Sequence, residues 1–206
     1  MGLLATSFLL VGPGGKIANA AMPPFEPIAG FAPDSIMYDE PGGQFDRWFK
    51  KLPCEANRAD VTVKFLKRDR DSKWSPLARL QINPPEEVNE KDWPYEALGA
   101  TVNGPWGRSI PPLTYVQWNS RDAYGKPQIR NFRIAPVDIR DPVHIEVSWT
   151  PDGTATFSFN EGPLIVLPAI GPITSIGAFV SSSKFEFMNL RVGHAGPPGF
   201  NSSCAS

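Results

Sequence analysis

The sequence predicts an all-β protein built as a two-sheet antiparallel β-sandwich. Its 206 residues include 23 prolines and 18 glycines, and this proline content is about twice the usual share. So many helix breakers favour short strands joined by turns. Runs that alternate apolar and polar residues recur at even spacing, and about eight such runs without a long helical pattern are typical of a sandwich or jelly roll.

Residues 1–20 predict a cleaved signal peptide. The apolar run of residues 3–12 is too short to span a bilayer, and Ala18-Asn19-Ala20 fits a small-x-small cleavage site. No Lys or Arg precedes the apolar run, so an apolar tail is the alternative interpretation. The expected mature chain begins at Ala21, has no transmembrane anchor, and is secreted or periplasmic.

Residues 21–53 are rich in proline, glycine and acidic residues and predict an extended arm on the body of the protein. In this arm Phe45, Trp48 and Phe49 have the i, i+3, i+4 spacing of one buried helical face, which predicts a short helix or a turn whose aromatic side chains belong to the core. The β-sandwich domain is expected over residues 54–194, and residues 195–206 are a C-terminal tail.

Alternation then predicts the strands of the sandwich in order. Val61, Val63 and Phe65 share one side of the first strand. In the second strand, Ala78, Leu80 and Ile82 alternate with Leu77, Arg79 and Gln81. The polar stretch of residues 84–112 shows no regular pattern, and long loops of this kind are usually either functional or disordered.

Two hairpins and a closing pair of strands complete the domain. Residues 113–120 and 126–136 flank a turn at Gly125. Residues 143–149 and 154–160 flank Asp152-Gly153, and their matched alternation fixes the register. In the last strand the alternation changes phase after Phe187, which predicts a β-bulge at Met188–Asn189.

Charge and cysteine content limit the partners and cofactors. The formal net charge is −1, so no basic field for nucleic acid is expected. Two cysteines and two histidines far apart do not build a metal site, and no cofactor is expected. Export would permit a Cys54–Cys204 disulfide if the first and last strands pair antiparallel, and two unpaired thiols are the alternative.

The last strands of the sequence resemble the C-terminal half of concanavalin A-like lectin/glucanase domains, a superfamily that includes laminin-G-like jelly rolls. The resemblance rests on the strand that carries Trp149, the Asp152-Gly153 turn, the run TFSFNEG and the closing run FMNLRVG. It covers residues 60–194 and is a pattern of fold rather than of catalytic motif. It implies a concanavalin A-like jelly roll and a glycan or polysaccharide ligand on the concave face of one sheet.

Candidate catalytic residues are present without a complete motif. A glycosidase needs two carboxyl groups across one bond, and the best isolated carboxylate is Glu146, with Glu186 as a potential partner. A polysaccharide lyase needs a base and a group that neutralises a uronate carboxylate. The run LQIN is similar to the Gln-Ile-His strand of alginate lyases, but Asn83 replaces the His. His144 as base with Tyr124 as acid is the remaining option, and a lyase is favoured over a hydrolase.

A glycan-binding module needs aromatic faces and planar polar groups. The candidate ligand-binding residues are Arg79, Gln81, Trp93, Tyr95, Trp106, Gln117, Arg130, Asn131 and Arg133. If Gln117 faces the groove, Trp118 faces the core, and Trp149 is also expected there. The sequence therefore predicts first a monomeric, exported glycan-binding domain. An extracellular polysaccharide lyase or hydrolase and a structural envelope protein without a sugar site are the alternatives.

Overall fold

The computed structural model describes residues 22, 26–40, 44–68, 75–83, 97–105, 111–121, 124–168 and 170–195. The predictions for residues 1–20, for Trp93, Tyr95 and Trp106, for Cys204 and for most of the C-terminal tail lie outside these ranges. Within the ranges, no helix is long and apolar enough to cross a membrane.

The regular structure of the described residues consists of thirteen β-strands. They are β1 (Glu26–Pro27), β2 (Ser35–Asp39), β3 (Phe45–Lys51), β4 (Arg58–Arg68), β5 (Leu77–Ile82), β6 (Ala97–Asn103), β7 (Leu113–Arg121), β8 (Pro127–Pro136), β9 (Val143–Trp149), β10 (Ala155–Phe159), β11 (Ile165–Leu167), β12 (Ser175–Ser181) and β13 (Ser183–His194).

These strands form two antiparallel sheets. The seven-stranded sheet has the order β1-β13-β4-β9-β10-β11, and β2 also pairs with β13. The six-stranded sheet has the order β3-β12-β5-β6-β7-β8. The predicted all-β sandwich is therefore confirmed, and the segment predicted as an arm supplies β1, β2 and β3 to its two sheets.

The core lies between the inner faces of the two sheets. On β5, Ala78, Leu80 and Ile82 are fully buried, as the alternation predicted. Trp149 is 6% exposed, and its indole Nε1 donates a hydrogen bond to the backbone oxygen of Ala56 at 3.1 Å. Trp118 packs against the same core. Each large apolar side chain buried in this way stabilises the fold by about 1.5–3 kcal/mol.

The hairpin of β9 and β10 has the predicted register. Phe157 lies opposite Val147, and Ala155 lies opposite Trp149. Gly153 in the turn has a φ of +82°, and a Cβ atom there would lie 1.8 Å from the backbone oxygen of Gly171. Only glycine fits this position, because both the left-handed backbone and the close contact exclude a side chain.

The predicted bulge in the last strand is also confirmed. The pairing of β13 with β4 shifts register between Met188 and Arg191. Asn189 in the bulge has a φ of +54°, a conformation that asparagine tolerates better than most residues. Its backbone nitrogen donates to the backbone oxygen of Asp34 at 2.8 Å, which attaches the bulge to the chain before β2.

Two segments differ from the sequence-based expectation. The trio of Phe45, Trp48 and Phe49 lies on strand β3 and not on a helix or turn. The irregular stretch of residues 84–112 contains β6, a central strand of the six-stranded sheet. In β6 the inward residues are apolar, and the outward ones include Gly99 and Thr101, which are too small to make the alternation conspicuous.

The segment before β4 and the segment after β13 lie side by side, as the antiparallel prediction requires. The Asn57 side chain bonds to Ala195 twice: Nδ2 donates to the Ala195 backbone oxygen at 3.0 Å, and Oδ1 accepts from its nitrogen at 2.6 Å. Cys54 is exposed nearby in the sequence. The Cys54–Cys204 disulfide stays a prediction, since Cys204 lies outside the described ranges.

Candidate functional site

Each sheet has an outer face that turns away from the core, and the predicted site residues are divided between these two faces. On the six-stranded sheet, the register aligns Phe179, Arg79, Thr101 and Tyr115 across four strands. The next row contains Gly177, Gln81, Gly99, Gln117 and Asn131. Arg79, Gln81 and Gln117 therefore do share one face, as predicted.

Arg79 lies flat across this outer face. Its side chain is 1% exposed, and Nε donates to the Thr101 hydroxyl at 2.9 Å. A Cβ atom on Gly99 would lie 2.7 Å from Arg79 Cγ and 2.8 Å from Cδ. The missing side chain of Gly99 therefore makes the slot in which the Arg79 stem crosses β6 toward β7.

A chain of hydrogen bonds continues from Arg79 to the edge of the sheet. Arg79 Nη2 donates to Gln117 Oε1, and Gln117 Nε2 donates to Asn131 Oδ1 at 3.0 Å. Because the guanidinium can only donate, Gln117 must present its oxygen to Arg79 and its amide nitrogen to Asn131. Gln117 is half-buried and Asn131 is exposed, so this chain opens toward β8.

Asn119 lies two residues beyond Gln117 on the same side of β7. It is 1% exposed, and neither its side-chain nitrogen nor its oxygen has a hydrogen-bond partner among the described residues. Leaving a buried amide unsatisfied costs about 1–3 kcal/mol, and native proteins contain few such groups. Gln117, Asn119 and Asn131 are called the amide cluster below.

Sequence reasoning missed Asn119, although the signal was available. Strand β7 alternates Tyr115, Gln117 and Asn119 with Val116 and Trp118. Val116 is fully buried and Trp118 packs against the core, so the other three face outward. The alternation that selected Gln117 therefore selects Asn119 as well.

The aromatic rings at the centre of this face are packed rather than presented to solvent. Phe179 is 2% exposed and stacks on Phe45, with ring centroids 5.5 Å apart. Burial raises the pKa of Tyr115, while the nearby Arg79 guanidinium acts in the opposite direction. Exposed apolar side chains lie instead on and beside β8, where Ile129 is 53% and Tyr124 is 88% exposed.

The two other predicted arginines lie away from the amide cluster. Arg130 pairs with Trp118 and so occupies the opposite side of β8 from Asn131. Arg133 has a φ of +47°, and its Nη1 donates to the backbone oxygen of Pro163 in the β10–β11 connection. It lines a separate surface pocket with residues that include Thr114, Phe159 and Asn160.

Two pairs of oppositely charged residues lie close together on the outer face of the seven-stranded sheet. Arg58 forms an ion pair with Glu146, and Arg191 donates two hydrogen bonds to Asp60, at 3.0 and 2.7 Å. Arg58, Asp60 and Glu146 are less than 10% exposed. Burial lowers the pKa of Arg58, and Glu146 and Asp60 oppose this change. These four residues are called the charged cluster below.

The predicted catalytic residues are not assembled into one site. His144 lies beside the charged cluster, with Nε2 3.8 Å from Asp60 Oδ2, whereas Tyr124 belongs to the β7–β8 connection of the other sheet. Glu186 and Glu146 lie opposite positions of β4 that are four residues apart. That separation is about 13 Å along the strand, beyond the roughly 9.5 Å limit for a glycosidase pair.

Metal-ligating side chains are not grouped in the described ranges: no three His, Cys, Asp or Glu residues there could hold one ion together. The catalytic roles of His144, Tyr124 and Glu146 stay predictions, and the geometry gives them no common substrate position.

Comparison with solved structures identifies the fold. No protein-family model matches the sequence, and a search of curated proteins gives no match. The carbohydrate recognition domain of Emp46p in its metal-free form is similar at a TM-score of 0.52 and 11% identity, covering 80% of this chain and 89% of that one. A point mutant of that domain gives 0.52 at 9% identity, with coverage of 80% and 89%.

A legume lectin-like domain from Entamoeba histolytica gives a TM-score of 0.49 at 12% identity, covering 79% of this chain and 91% of that one. The chain has the concanavalin A-like jelly-roll fold that residues 60–194 resembled in sequence.

Proposed function

We propose that this protein is an exported glycan-binding domain and that the amide cluster binds hydroxyl groups of the glycan. The fold supports the class of ligand, because the Emp46p domain of the same architecture is a carbohydrate recognition domain. A shared fold at this level of identity does not select a sugar. The position of the site is therefore argued from the residues of this chain.

The unpaired amide of Asn119 is the observation that carries the proposal. Its nitrogen can donate two hydrogen bonds and its oxygen can accept two, yet the described residues supply none. A sugar hydroxyl both donates and accepts, so one pair of adjacent hydroxyls could satisfy the oxygen and the nitrogen together if the side chains that bury Asn119 make room for them. Such a ligand would recover the roughly 1–3 kcal/mol that the unsatisfied amide costs the free protein.

The hydrogen-bond chain from Arg79 supplies orientation. Arg79 fixes the direction of Gln117, and Gln117 fixes the direction of Asn131. Two of the three amides are therefore held in one orientation before a ligand arrives, which lowers the entropy cost of binding. Asn131 lies on β8. The exposed side chains of Ile129, on that strand, and of Tyr124, in the turn before it, could contact the apolar faces of sugar rings.

Export is part of the same proposal and rests on the leader-like residues 1–20. If the leader is cleaved as predicted, protein recovered from outside the cytoplasm will begin at Ala21. N-terminal sequencing or intact mass measurement of that material tests the position, and a chain that still begins at Met1 would contradict it.

The binding experiment is a screen of neutral and uronate-containing polysaccharides against the mature protein, followed by calorimetric titration of any ligand found. Gln117→Ala and Asn131→Ala should each weaken binding by about five- to tenfold, as expected for the loss of one hydrogen bond. Lys64→Ala is the matched control, because Lys64 is exposed on β4 of the other sheet; its affinity should not change.

Three outcomes would contradict the proposal. The first is that no polysaccharide binds. The second is that a polysaccharide binds but both amide variants bind it as well as the wild type does. The third is catalysis. The same samples are also read for unsaturated uronate products by ultraviolet absorbance. Product formation that disappears in His144→Ala would instead assign a polysaccharide lyase.

A further inference from the structure

A polar pocket separate from the one beside Arg133 lies on the opposite side of the sandwich from the amide cluster. It has a volume of about 220 Å³ and opens on the outer face of the seven-stranded sheet. Its lining consists of Asp60, Val61, Thr62, His144, Asn189 and Arg191. Strands β4, β9 and β13 supply these residues side by side, because Thr62 pairs with His144 and Asp60 pairs with Arg191.

The floor of the pocket is a buried carboxylate, and its rim carries exposed hydrogen-bond donors. Asp60 lies beneath it at 3% exposure and is held by both hydrogen bonds from Arg191. The Arg191 side chain is 51% exposed and the His144 side chain is 35% exposed. Asn189 is exposed in the bulge and adds an amide at the rim. Groups that can donate hydrogen bonds therefore surround the opening, while the one carboxylate is buried.

The charge of this region depends on His144. The two arginines of the charged cluster balance its two carboxylates, so the cluster is neutral when the imidazole is neutral. Protonation of His144 gives the pocket a net charge of +1. Histidine is the side chain whose charge most readily changes near neutral pH.

We propose that this pocket is a binding site for a carboxylate group and that its affinity depends on protonation of His144. The Arg191 guanidinium and the imidazolium supply charge-assisted hydrogen bonds to the carboxylate, and Thr62 and Asn189 supply neutral ones. Two sources share this chemistry: a small free carboxylate, and the uronic acid unit of a polysaccharide. The site is independent of the amide cluster and of the function proposed for it.

The groups that face His144 set the direction of the pH dependence. From β4 these are Asp60 and, one row further on, Lys64; from β13 it is Arg191. On β9 the neighbour is Glu146, which is paired with Arg58, and after β10 it is the uncharged Asn160, whose Oδ1 accepts a hydrogen bond from the His144 backbone nitrogen at 2.7 Å. Because a bound anion favours the protonated imidazole, affinity rises as pH falls, and the ligand in turn promotes protonation.

The test uses nuclear magnetic resonance of the imidazole groups, because the chain contains only two histidines. Sodium acetate, sodium glucuronate, an oligogalacturonate and neutral glucose are each titrated at about pH 5.5 and about pH 8. The carboxylates should shift the His144 signals and leave those of His194 unchanged. Affinity should be about fivefold higher at the lower pH, as expected for one added charge near the protein surface.

Variants separate the pocket from general electrostatic attraction. His144→Gln should abolish the pH dependence, and Thr62→Val should weaken binding about threefold through the loss of one neutral hydrogen bond. Lys64→Gln removes a positive charge on the same strand outside the pocket lining and should leave the affinity unchanged at physiological salt. Circular dichroism verifies that each variant is folded.

Either carboxylate source supports the site, and the ranking of acetate, glucuronate and oligogalacturonate identifies which source it prefers. Glucose shifting His144 as strongly as glucuronate would overturn the proposal, because the pocket would then recognise hydroxyl groups. It would also be overturned if no carboxylate shifts His144, if affinity does not change between the two pH values, or if Lys64→Gln abolishes binding as His144→Gln does.

Discussion

The two outer faces of the sandwich both bury polar side chains, and they differ in whether those side chains have partners. Each carries buried polar side chains on strands whose other side builds the core. On the seven-stranded sheet, Arg58 pairs with Glu146 and Arg191 pairs with Asp60. On the six-stranded sheet, Asn119 is equally buried, but its amide has no partner among the described residues.

This difference separates a structural polar group from a candidate binding group. A buried ion pair keeps each charge beside its opposite, and removal of one partner leaves an isolated charge. A buried amide without a partner already carries that kind of cost in the free protein, and only a ligand or an added partner removes it. We therefore expect removal of a charged partner to destabilise the first face, and removal of the Asn119 amide to stabilise the second.

The largest expected effect is on the charged cluster. Glu146→Ala leaves the Arg58 guanidinium buried without its carboxylate, and we expect a loss of about 3–5 kcal/mol in the free energy of unfolding. Urea denaturation measures this loss. The double variant Arg58→Met with Glu146→Leu should recover most of it, since an apolar pair of similar size avoids the isolated charge. A double variant no more stable than Glu146→Ala would contradict this explanation.

The next effect is at Gly99. In Gly99→Ala the new Cβ would lie 2.6 Å from the backbone oxygen of Leu80 and 2.7 Å from Arg79 Cγ. We expect a loss of about 1–3 kcal/mol from overpacking and weaker glycan binding, because Arg79 must leave its position beside Gln117.

Gly125→Ala is the matched control for that substitution. It has a φ of +75°, but no atom lies within 4 Å of the new Cβ. It should cost about 1–2 kcal/mol through its left-handed backbone alone, with unchanged glycan affinity. Equal losses of affinity in the two variants would contradict the positioning role of Gly99.

The effect of Asn119→Leu has the opposite sign. Leucine has nearly the shape of asparagine and no polar atoms, so the cost of the unsatisfied amide disappears. We expect a gain of about 1–2 kcal/mol in the free energy of unfolding, measured by urea denaturation. A loss of stability would show that Asn119 already has a partner in solution and would weaken the contrast between the two faces.

The smallest effect is expected in the β8–β9 connection, which joins the two sheets. Hydrogen bonds from Arg140 lower the pKa of Asp138 to about 2. A lowered pKa stabilises the folded protein at neutral pH, and this contribution is lost as pH falls from about 4 to about 2. Both side chains are solvated, so Arg140→Ala should leave the midpoint of urea denaturation at neutral pH unchanged.

The same variant should raise the Asp138 titration midpoint part of the way toward the ordinary value for aspartate, as followed by nuclear magnetic resonance, because the backbone nitrogen of residue 140 still donates to Asp138 Oδ1. A midpoint that stays near 2 would mean that the backbone of the turn, and not Arg140, holds the carboxylate.

Most of the architecture could be predicted from the sequence because strand alternation and turn chemistry are local. The β9–β10 register follows from matched alternation about Asp152-Gly153, and the bulge follows from a change of phase after Phe187. Strand β3 was missed because aromatic residues lie on both of its faces, with Phe45 on the outer face and Trp48 toward the core. Such spacing imitates a helical stripe.

The candidate sites were less predictable because they depend on which strands become neighbours. Alternation placed Gln117 and His144 on polar faces, but it could not show that these faces belong to different sheets. The partners of Arg79 and Glu146 lie 22 to 88 residues away in the sequence. The unsatisfied state of Asn119 depends on the same long-range packing, so no local pattern contains it.

The most direct test of the central claim is a parallel titration of the wild type and Asn119→Leu with a glycan found in the screen. The account predicts that the variant is more stable than the wild type and has lost measurable affinity, with Lys64→Ala binding normally. An Asn119→Leu protein that binds the glycan as tightly as the wild type would show that the amide cluster is not the binding site.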